Sequence, residues 1–257
     1  MSFVSGVSSS ERRGRCYVVH GQALAVIRDG ERVNVPLADV DDSWLYLGAL
    51  AGEPCFAREA AELVDAEPVA LRALFGALPD AEFAVAQRAL GIVAWDRDHR
   101  FCGRCGTATE RSATERVRTC PACKLGVYPR LSPAVIVRVE RDDTILLARN
   151  LRSPFRFHSV LAGFVELGES LEATVHREIS EEVGIEIADV RYFGSQPWPF
   201  TNSLMIAFTA RWLRGELAPD GIEIGEAAWF ARDQLPDVPP RLSIARALID
   251  DFVHRGP

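Results

Sequence analysis

The chain has 257 residues, of which 48% are hydrophobic and 25% charged, so it can bury a sizeable core and hold two or three small domains. No stretch approaches the roughly 20 consecutive apolar residues of a membrane span, and the first ten residues lack a basic start and a long apolar core, so we expect neither a membrane protein nor a secretory leader. A net charge of −7 argues against binding long nucleic acid, DNA included, through a general basic field, although it permits a local basic patch.

The first half of the chain predicts three consecutive regions. Residues 1–15 are rich in Ser, Gly and Arg and are expected to lack stable structure. Residues 16–98 predict a small mixed α/β domain, with short strands first and then helices over 69–78 and 81–95, where apolar residues recur at helical spacing. Residues 99–128 contain few large apolar side chains, so something other than a hydrophobic core must hold this segment together.

The second half, residues 129–257, predicts one larger domain. Compact strands are expected over 134–140 and 144–149, joined by a polar turn. A loop and a glutamate-rich helix follow, then a strand over 203–212 and a final helix after Pro240. The chain shows no internal repeat.

Four of the six cysteines form two CxxC pairs, Cys102 with Cys105 and Cys120 with Cys123. Without a recognisable leader, this spacing favours metal binding over disulfides and predicts a reducing, cytoplasmic environment. Fourteen residues separate the pairs, one fewer than usual, but four thiolates in two knuckles still suit a tetrahedral structural zinc. The alternative is two disulfides or free core cysteines. The other two cysteines are expected to be small buried residues.

A second motif lies in the string GFVELGESLEATVHREISEEVGI. Ser170 is a suitable N-cap and Gly184 a suitable C-terminal stop, and apolar residues at helical spacing form a stripe between them. The carboxylates of Glu178, Glu181 and Glu182 fall within a wedge of about 100°, with Glu182 close to the edge of the stripe. The pattern therefore predicts three carboxylates crowded along one partly buried edge of a helix.

Such crowding predicts a bound divalent cation. Like charges at i and i+4 destabilise a helix by roughly 0.2–0.5 kcal/mol per pair, and by more where water is partly excluded. Hard carboxylate oxygens suit magnesium or manganese, which can bridge substrate phosphates, activate a water and stabilise charge on a leaving oxygen. The alternative is a solvated acidic helix face, which is common in acidic proteins.

The string fills every fixed position of the Nudix box, so the chain resembles the Nudix hydrolases. Together with the four-cysteine segment, SQPWPFTNS at 195–203 makes the chain resemble the bacterial NADH pyrophosphatase branch, which also decaps NAD-capped RNA. The resemblance implies an α+β fold, a Nudix αβα sandwich with a mixed sheet preceded by a zinc ribbon and the small mixed domain. It also implies a homodimer that hydrolyses NAD(H) to nicotinamide mononucleotide and AMP, or capped RNA to a 5′-monophosphate end.

The resemblance further implies roles for individual residues. Glu178, Glu182 and Glu223 would bind the catalytic metal with the carbonyl of Ala162, and Glu181 would assist as ligand or base. We expect Glu182 to be the most sensitive catalytic residue. The implied substrate-binding residues are Arg72, Glu115, Tyr128, Phe164, Gln196, Pro197, Trp198, Pro199, Phe200, Thr201, Asn202, Ser203 and Ala245. Independently of the family, we expect Arg177 to orient one glutamate.

Within that set, Tyr128 and Phe164 would sandwich nicotinamide, with Tyr128 able to come from a second subunit. Each assignment has a plainer alternative. Both residues would otherwise be core aromatics, Glu115 a solvated charge and Glu223 a turn residue. The competing functions are hydrolysis of another nucleoside diphosphate derivative, such as ADP-ribose or a dinucleoside polyphosphate, and a nucleic-acid binding module with a vestigial catalytic fold.

Overall fold

The structure, a computed structural model, describes residues 2–30, 32–60 and 66–255. The chain divides into two compact units, Met1–Arg130 (unit 1) and Leu131–Pro257 (unit 2). Within the described ranges, no helix has the length and apolar composition that a membrane crossing requires.

The described residues of unit 1 form a mixed sheet and one long helix, α1 (Asp80–Asp98). The strands are β1 (Phe3–Ser5), β2 (Arg13–His20), β3 (Ala23–Asp29), β4 (Arg32–Asn34), β5 (Leu37–Asp39), β6 (Leu45–Leu50), β7 (Glu53–Glu59) and β8 (Glu67–Ala70). Their order is β1-β6-β7-β2-β3-β4, with β5 paired to β2 and β8 to β3. Helix α1 packs on β2, β6 and β7, and buries residues such as Phe83, Ala86, Leu90 and Val93 at helical spacing.

Two expectations for unit 1 were wrong. Residues 1–15 were expected to lack structure, but β1 pairs with β6 and β2 begins at Arg13. That pairing joins residues more than 40 positions apart, which a local pattern cannot reveal. The helix expected over 69–78 is instead the strand β8 followed by a single 3₁₀ turn, Leu71–Leu74. The turn ends there because Phe75 is extended and Gly76 has a positive φ of 77°. The expected second helix is present as α1.

The cysteine-rich segment forms a small three-stranded antiparallel sheet in unit 1. Its strands are β9 (Glu110–Arg111), β10 (Arg118–Thr119) and β11 (Gly126–Val127), in the order β11-β10-β9. Asp96 at the end of α1 is 3% exposed and forms ion pairs with Arg118 at 2.5 Å and Arg111 at 2.6 Å. This buried charge network joins the ribbon to α1.

Unit 2, described up to residue 255, has a six-stranded mixed sheet and two helices, α2 (Leu171–Val183) and α3 (Ile244–His254). The strands are β12 (Ser132–Arg141), β13 (Thr144–Asn150), β14 (Leu161–Phe164), β15 (Glu186–Trp198), β16 (Ser203–Arg214) and β17 (Ile224–Ala231). Their order is β15-β16-β12-β13-β17, with β14 paired to β12. Strands β12 and β16 are parallel, and the other pairs are antiparallel.

The two helices of unit 2 cover opposite faces of this sheet. Val135 and Val137 of β12 pack in the same cluster as Val175 of α2, whereas the intervening Ile136 packs with Leu248 of α3. This alternation follows from the two-residue period of a strand. The expected αβα sandwich with a mixed sheet is confirmed.

Strand β15 was not expected from the sequence. Its last four residues, 195–198, are the SQPW segment, and Pro197 lies opposite Leu204 of β16. Since β15 is at the edge of the sheet, a proline that cannot donate a ladder hydrogen bond is tolerated there. The strand therefore extends into a segment whose composition indicates a loop.

Candidate functional site

Helix α2 begins and ends as its sequence predicts. The Oγ of Ser170 accepts a hydrogen bond from the Ala173 N–H at 3.2 Å, and Gly184 takes a left-handed φ of 73° at the C-terminal end. Val175, Ile179 and Val183 are completely buried and anchor the helix on the sheet. The helix is thus fixed at both ends and along one face.

The three glutamates of α2 differ in their surroundings. Glu182 is 5% exposed, and the side chain of Glu178 is 14% exposed. The side chain of Glu181 is 61% exposed. The prediction that all three crowd a partly buried edge is therefore wrong for Glu181, because only Glu178 and Glu182 lie towards the apolar stripe.

Among the glutamates of α2, Glu182 has the most strongly raised pKa. Burial, followed by the nearby negative charges of Glu178 and Glu223, raises the pKa of its carboxyl from 4.5 to about 8. Its Oε2 atom is buried and has no hydrogen-bond partner among the described residues. A buried carboxylate oxygen in that position needs either a proton or a cation, so the residues fit a divalent metal.

The backbone of β14 approaches Glu178 very closely. A Cβ atom added to Gly163 would lie 1.9 Å from the carboxyl carbon of Glu178. The neighbouring Ala162 lines the same cavity as Glu182. Three of the four implied metal ligands therefore lie at the junction of β14 and α2.

Glu223, the fourth implied ligand, lies directly before β17. Its carboxylate accepts hydrogen bonds from Asn150 Nδ2 and from the Arg152 guanidinium, both at 3.2 Å. Its backbone N–H donates to Asp220 Oδ1 at 3.0 Å. The negative charge of Glu223 raises the pKa of Glu178, which shows that the two carboxylates are electrostatic neighbours. Asn150, Arg152 and Asp220 were not predicted as site residues, although the Asp220–Gly221 turn pattern is a signal for Asp220.

Arg177 connects the loop before α2 to the helix. Its guanidinium donates to Glu169 at 2.6 Å, to Glu178 at 2.9 Å and to Glu181 at 3.0 Å. It also donates to the carbonyl of Phe164 at 3.0 Å. Arg177 was expected to orient one glutamate, whereas it contacts three.

Glu169 holds this loop in place. It accepts from the Glu166 N–H at 3.1 Å and the Thr174 hydroxyl at 2.8 Å, in addition to Arg177. The hydrogen bond from Arg177 is the main cause that lowers the pKa of Glu169 from 4.5 to about 2. The charged carboxylate is therefore the form that the fold stabilises.

We predict that Glu169 makes unit 2 sensitive to acid. Its folded pKa lies below its unfolded value, so its contribution to stability is complete above pH 4.5 and is lost as the pH falls towards 2. The Glu169→Gln variant should be less stable than the wild type at pH 6, and the difference should shrink at pH 3. Thermal unfolding at both pH values measures this. A difference of the same size at both would contradict the prediction.

A cavity of about 520 Å³ opens beside the carboxylates. Its lining includes Ala162 and Glu182 from the implied metal site and Trp198 and Thr201 from the implied substrate set. Residues that the sequence analysis did not identify also line it, namely Ala148, Asn150, Arg152, Ser153, Phe157, Ser159, Val160, Leu161 and Ile224. Polar, cationic and aromatic side chains thus surround a space adjacent to the candidate metal site.

Some residues of the SQPWPFTNS segment make contacts within unit 2. Gln196 donates to the carbonyl of Leu242 and accepts from the Ile244 N–H, both at 2.8 Å, so it fastens the start of α3. Ala245, next on that helix, is 7% exposed and packs in the core. The rings of Trp198 and Phe200 meet edge to face at 5.0 Å. The structure does not bring the side chain of Gln196 to the cavity lining.

The two implied nicotinamide-binding aromatics are both on the surface of their units. Tyr128 of unit 1 and Phe164 of unit 2 are each 55% exposed, which rules out the alternative that they are core aromatics. The hydroxyl of Tyr128 donates to Glu115 at 3.0 Å, so two implied substrate residues of unit 1 are in contact. Arg72 lies on the exposed side of the 3₁₀ turn.

The four ribbon cysteines converge as the spacing predicts. All four sulfurs lie within 4.8 Å of one another. The Arg104 N–H donates to the Cys102 sulfur, which is the main cause that lowers the pKa of that thiol. The first knuckle closes with a left-handed φ of 73° at Gly106, and the second with a φ of 62° at Lys124.

This sulfur cluster, with two N–H-supported knuckles, fits tetrahedral zinc. Since all six cysteines are free thiols, the disulfide alternative is wrong. Cys16 and Cys55 are 1% and 0% exposed, as expected for small buried residues.

Comparison with known families assigns three consecutive segments. Residues 129–252 match the NUDIX domain and residues 97–128 the NADH pyrophosphatase zinc ribbon domain. Residues 13–95 match the NADH pyrophosphatase-like rudimentary NUDIX domain. The sequence pattern had predicted only a small mixed domain in that last segment.

Comparison with individual proteins supports the same family assignment. The chain is 45% identical over 213 residues to the NAD-capped RNA hydrolase NudC of Deinococcus radiodurans, covering 80% of this chain and 76% of that protein. It is 50% identical over 174 residues to the protein of the same name from Pseudomonas aeruginosa, covering 68% of this chain and 63% of that protein. A NUDIX hydrolase from Nitrosomonas europaea superposes with a TM-score of 0.52 at 25% identity, over 61% of this chain and 92% of that structure. The chain belongs to the Nudix hydrolases, in the branch that carries the NADH pyrophosphatase zinc ribbon.

Proposed function

We propose that the protein hydrolyses the pyrophosphate bond of NAD(H) to nicotinamide mononucleotide and AMP, and removes the NAD cap from RNA to leave a 5′-monophosphate end. The observation that carries this proposal is the orphaned, buried Glu182 carboxylate in a cavity also lined by Trp198. The names of the relatives from Deinococcus radiodurans and Pseudomonas aeruginosa support the choice of substrate.

The proposed catalytic metal is magnesium or manganese. When bound, the metal would activate water and neutralise charge on the pyrophosphate. Glu178, Glu182, Glu223 and the carbonyl of Ala162 would hold it. Arg177 positions Glu178 through a 2.9 Å hydrogen bond.

Two other parts of the chain have supporting roles in the proposal. Asn150 and Arg152 position Glu223 through hydrogen bonds at 3.2 Å. Glu181, whose side chain is 61% exposed, is free to rotate towards water as a ligand or base once it leaves Arg177.

We also propose that the active form is a homodimer in which Tyr128 of one subunit and Phe164 of the other sandwich nicotinamide. Both rings are half exposed, so each has a free face available for stacking. Sedimentation should find a dimer, and an active monomer would contradict this part of the proposal. The six free thiols support a reducing, cytoplasmic location.

The experiment that tests the function compares substrates under one set of conditions. The enzyme is incubated with magnesium or manganese and with NADH, NAD-capped RNA, ADP-ribose or diadenosine polyphosphate, and the products are separated by chromatography. We expect kcat/KM to be highest for NADH or the capped RNA. Equal or faster turnover of ADP-ribose would favour the competing function, and the absence of hydrolysis of any of them would favour a binding module.

A further inference from the structure

Two arginines of unit 1 are unusual because they are half-buried without a counter-ion. Arg88 lies on α1, and Arg116 lies between β9 and β10. Within the described ranges, no Asp or Glu lies at ion-pair distance from either guanidinium. By contrast, Arg15, Arg97 and Arg118 of the same unit each pair with a carboxylate.

Both guanidinium groups are instead held by neutral atoms of the N-terminal segment. Arg88 donates to the Oγ of Ser5 at 2.6 Å, and its guanidinium lies 5.5 Å from the centre of the Phe3 ring. Arg116 donates to the carbonyl of Gly6. The Nε of Arg88 is buried and has no acceptor in the described part of the chain. These contacts position two adjacent cations but do not neutralise them.

The electrostatics of the pair favour an anion. Burial lowers the pKa of both guanidinium groups, and for Arg116 the positive charge of Arg88 adds to that effect and brings its pKa to about 10. Two like charges that repel each other in a partly dehydrated place gain most from a shared anion. A phosphate suits two guanidinium groups because its oxygens accept several charge-assisted hydrogen bonds.

Space for such an anion exists beside Arg116. The residue lines a cavity of about 370 Å³, together with Ser8, Ser9, Trp44 and Tyr46. Of the other charged side chains in this lining, Arg12 pairs with Asp42 and Arg111 pairs with Asp96. Asp41 and Glu115 accept hydrogen bonds from the neutral groups of Ser43 and Tyr128. Arg116 therefore brings an arginine without a carboxylate partner to a cavity that also has hydroxyl groups and aromatic rings, which are groups that bind nucleotides.

We propose that Arg88 and Arg116 form a binding site for a phosphate of the RNA chain that follows the NAD cap. The inference rests on the proposed function, in which capped RNA is a substrate. A chain of net charge −7 has no general basic field for RNA, so it needs a local site. Glu115, which lines the same cavity, is hydrogen-bonded to Tyr128, and both belong to the implied substrate set.

The test compares a substrate that has an RNA chain with one that lacks it. We expect Arg88→Gln with Arg116→Gln together to lower kcat/KM for an NAD-capped RNA of about ten nucleotides by about tenfold, and to leave kcat/KM for NADH unchanged. The control is Arg32→Gln, which removes one exposed arginine on β4 at the opposite end of the strand order from β1. This control should change neither value. Equal loss on both substrates, or no loss on either, would overturn the proposal.

A binding measurement keeps the proposal separate from the proposed function. Fluorescence anisotropy with the same RNA carrying a 5′-monophosphate requires no catalysis. Losing one phosphate contact should reduce the slope of log affinity against log salt by roughly 0.7. An unchanged slope would overturn the proposal. If wild-type enzyme binds this RNA but hydrolyses neither NADH nor capped RNA, the proposed function fails while the site stands.

Two further arms address folding and the identity of the anion. Zinc content and thermal unfolding report whether the glutamine variants fold. If they do not fold, Arg116→Lys replaces them in the test, because lysine keeps the positive charge but lacks the planar guanidinium group. We expect the lysine variant to bind RNA more weakly than wild type and more tightly than any folded glutamine variant. Wild-type binding by the lysine variant would argue against a guanidinium-specific contact. Polyglutamate that competes as well as RNA of equal charge would indicate an acidic protein ligand and overturn the proposal.

Discussion

Replacing Glu182 with Gln should lower kcat for NADH hydrolysis by about a thousandfold, while the protein remains folded. The substitution keeps the size of the side chain but removes the charge that the buried Oε2 needs to hold a divalent cation. Loss of a metal-dependent step amounts to several kcal/mol of transition-state stabilisation, which corresponds to that factor. The measurement is steady-state kinetics at saturating magnesium.

The control for this variant is Glu172→Gln, since Glu172 is an exposed glutamate on the same helix. It should retain wild-type activity. A Glu182→Gln enzyme with unchanged kcat would show that this carboxylate does not carry the chemistry and would contradict the mechanism.

The same substitution should stabilise the metal-free protein at high pH. Because the folded pKa of Glu182 is raised to about 8, the metal-free fold favours the protonated carboxyl and loses stability as the pH rises from 4.5 towards 8. The glutamine is neutral at every pH and avoids that loss. We therefore expect Glu182→Gln to unfold at a higher temperature than wild type at pH 8 without metal, by several degrees for about 2 kcal/mol, and at a similar temperature at pH 5.

Thermal unfolding with a chelator present measures this difference. Added magnesium should raise the unfolding temperature of the wild type at pH 8 but not that of the variant. If the variant is less stable than wild type at both pH values, burial of the charged carboxylate is not a cost to the fold. If Glu182→Gln is more stable than the wild type at pH 8 and is also inactive, Glu182 is needed for activity and destabilises the metal-free fold.

The features that sequence predicted correctly depend on local chemistry. Ser170 and Gly184 set the ends of α2 through hydrogen bonds within a few residues of themselves, so their identity was sufficient. The ribbon cysteines converge because each knuckle is a local turn, and the alternation along β12 follows from the period of a strand.

The features that sequence missed depend on distant partners. Strand β1 is held by β6 and by Arg88 and Arg116, the latter 110 positions from Gly6. The exposure of Glu181 was missed for a local reason, because a wedge of about 100° on a helical wheel spans both the buried side and the solvent side of a helix. Gln196 resembled a substrate ligand by motif, yet its amide is occupied by the start of α3, 46 residues further along the chain.

Replacing Gly163 with Ala should lower kcat/KM by about a hundredfold without unfolding the protein. Gly163 does not have a positive φ, so the backbone itself permits an alanine. The obstacle is the added Cβ, which would lie 1.9 Å from the carboxyl carbon of Glu178 and within 2.2 Å of both its oxygens. Glu178 must therefore move, and a displacement of about 1 Å in a catalytic group costs about that factor.

The stability of this variant should stay close to that of wild type. Burial raises the pKa of Glu178, so its present position is already unfavourable for the charged carboxylate, and displacement towards water offsets part of the steric cost. The control is Gly91→Ala on α1, where an added Cβ meets nothing within 4 Å. It should keep full activity. Full activity in Gly163→Ala would show that Glu178 has no fixed role.

Titration with magnesium separates displacement of the ligand from other damage. If Gly163 is needed for the close approach of β14 to Glu178, the variant should require more magnesium for half-maximal activity, and excess magnesium should restore part of kcat. A loss of kcat with unchanged magnesium dependence would place the damage elsewhere. Gly163 is therefore required because the backbone of β14 lies so close to the carboxylate of Glu178 that no side chain fits between them.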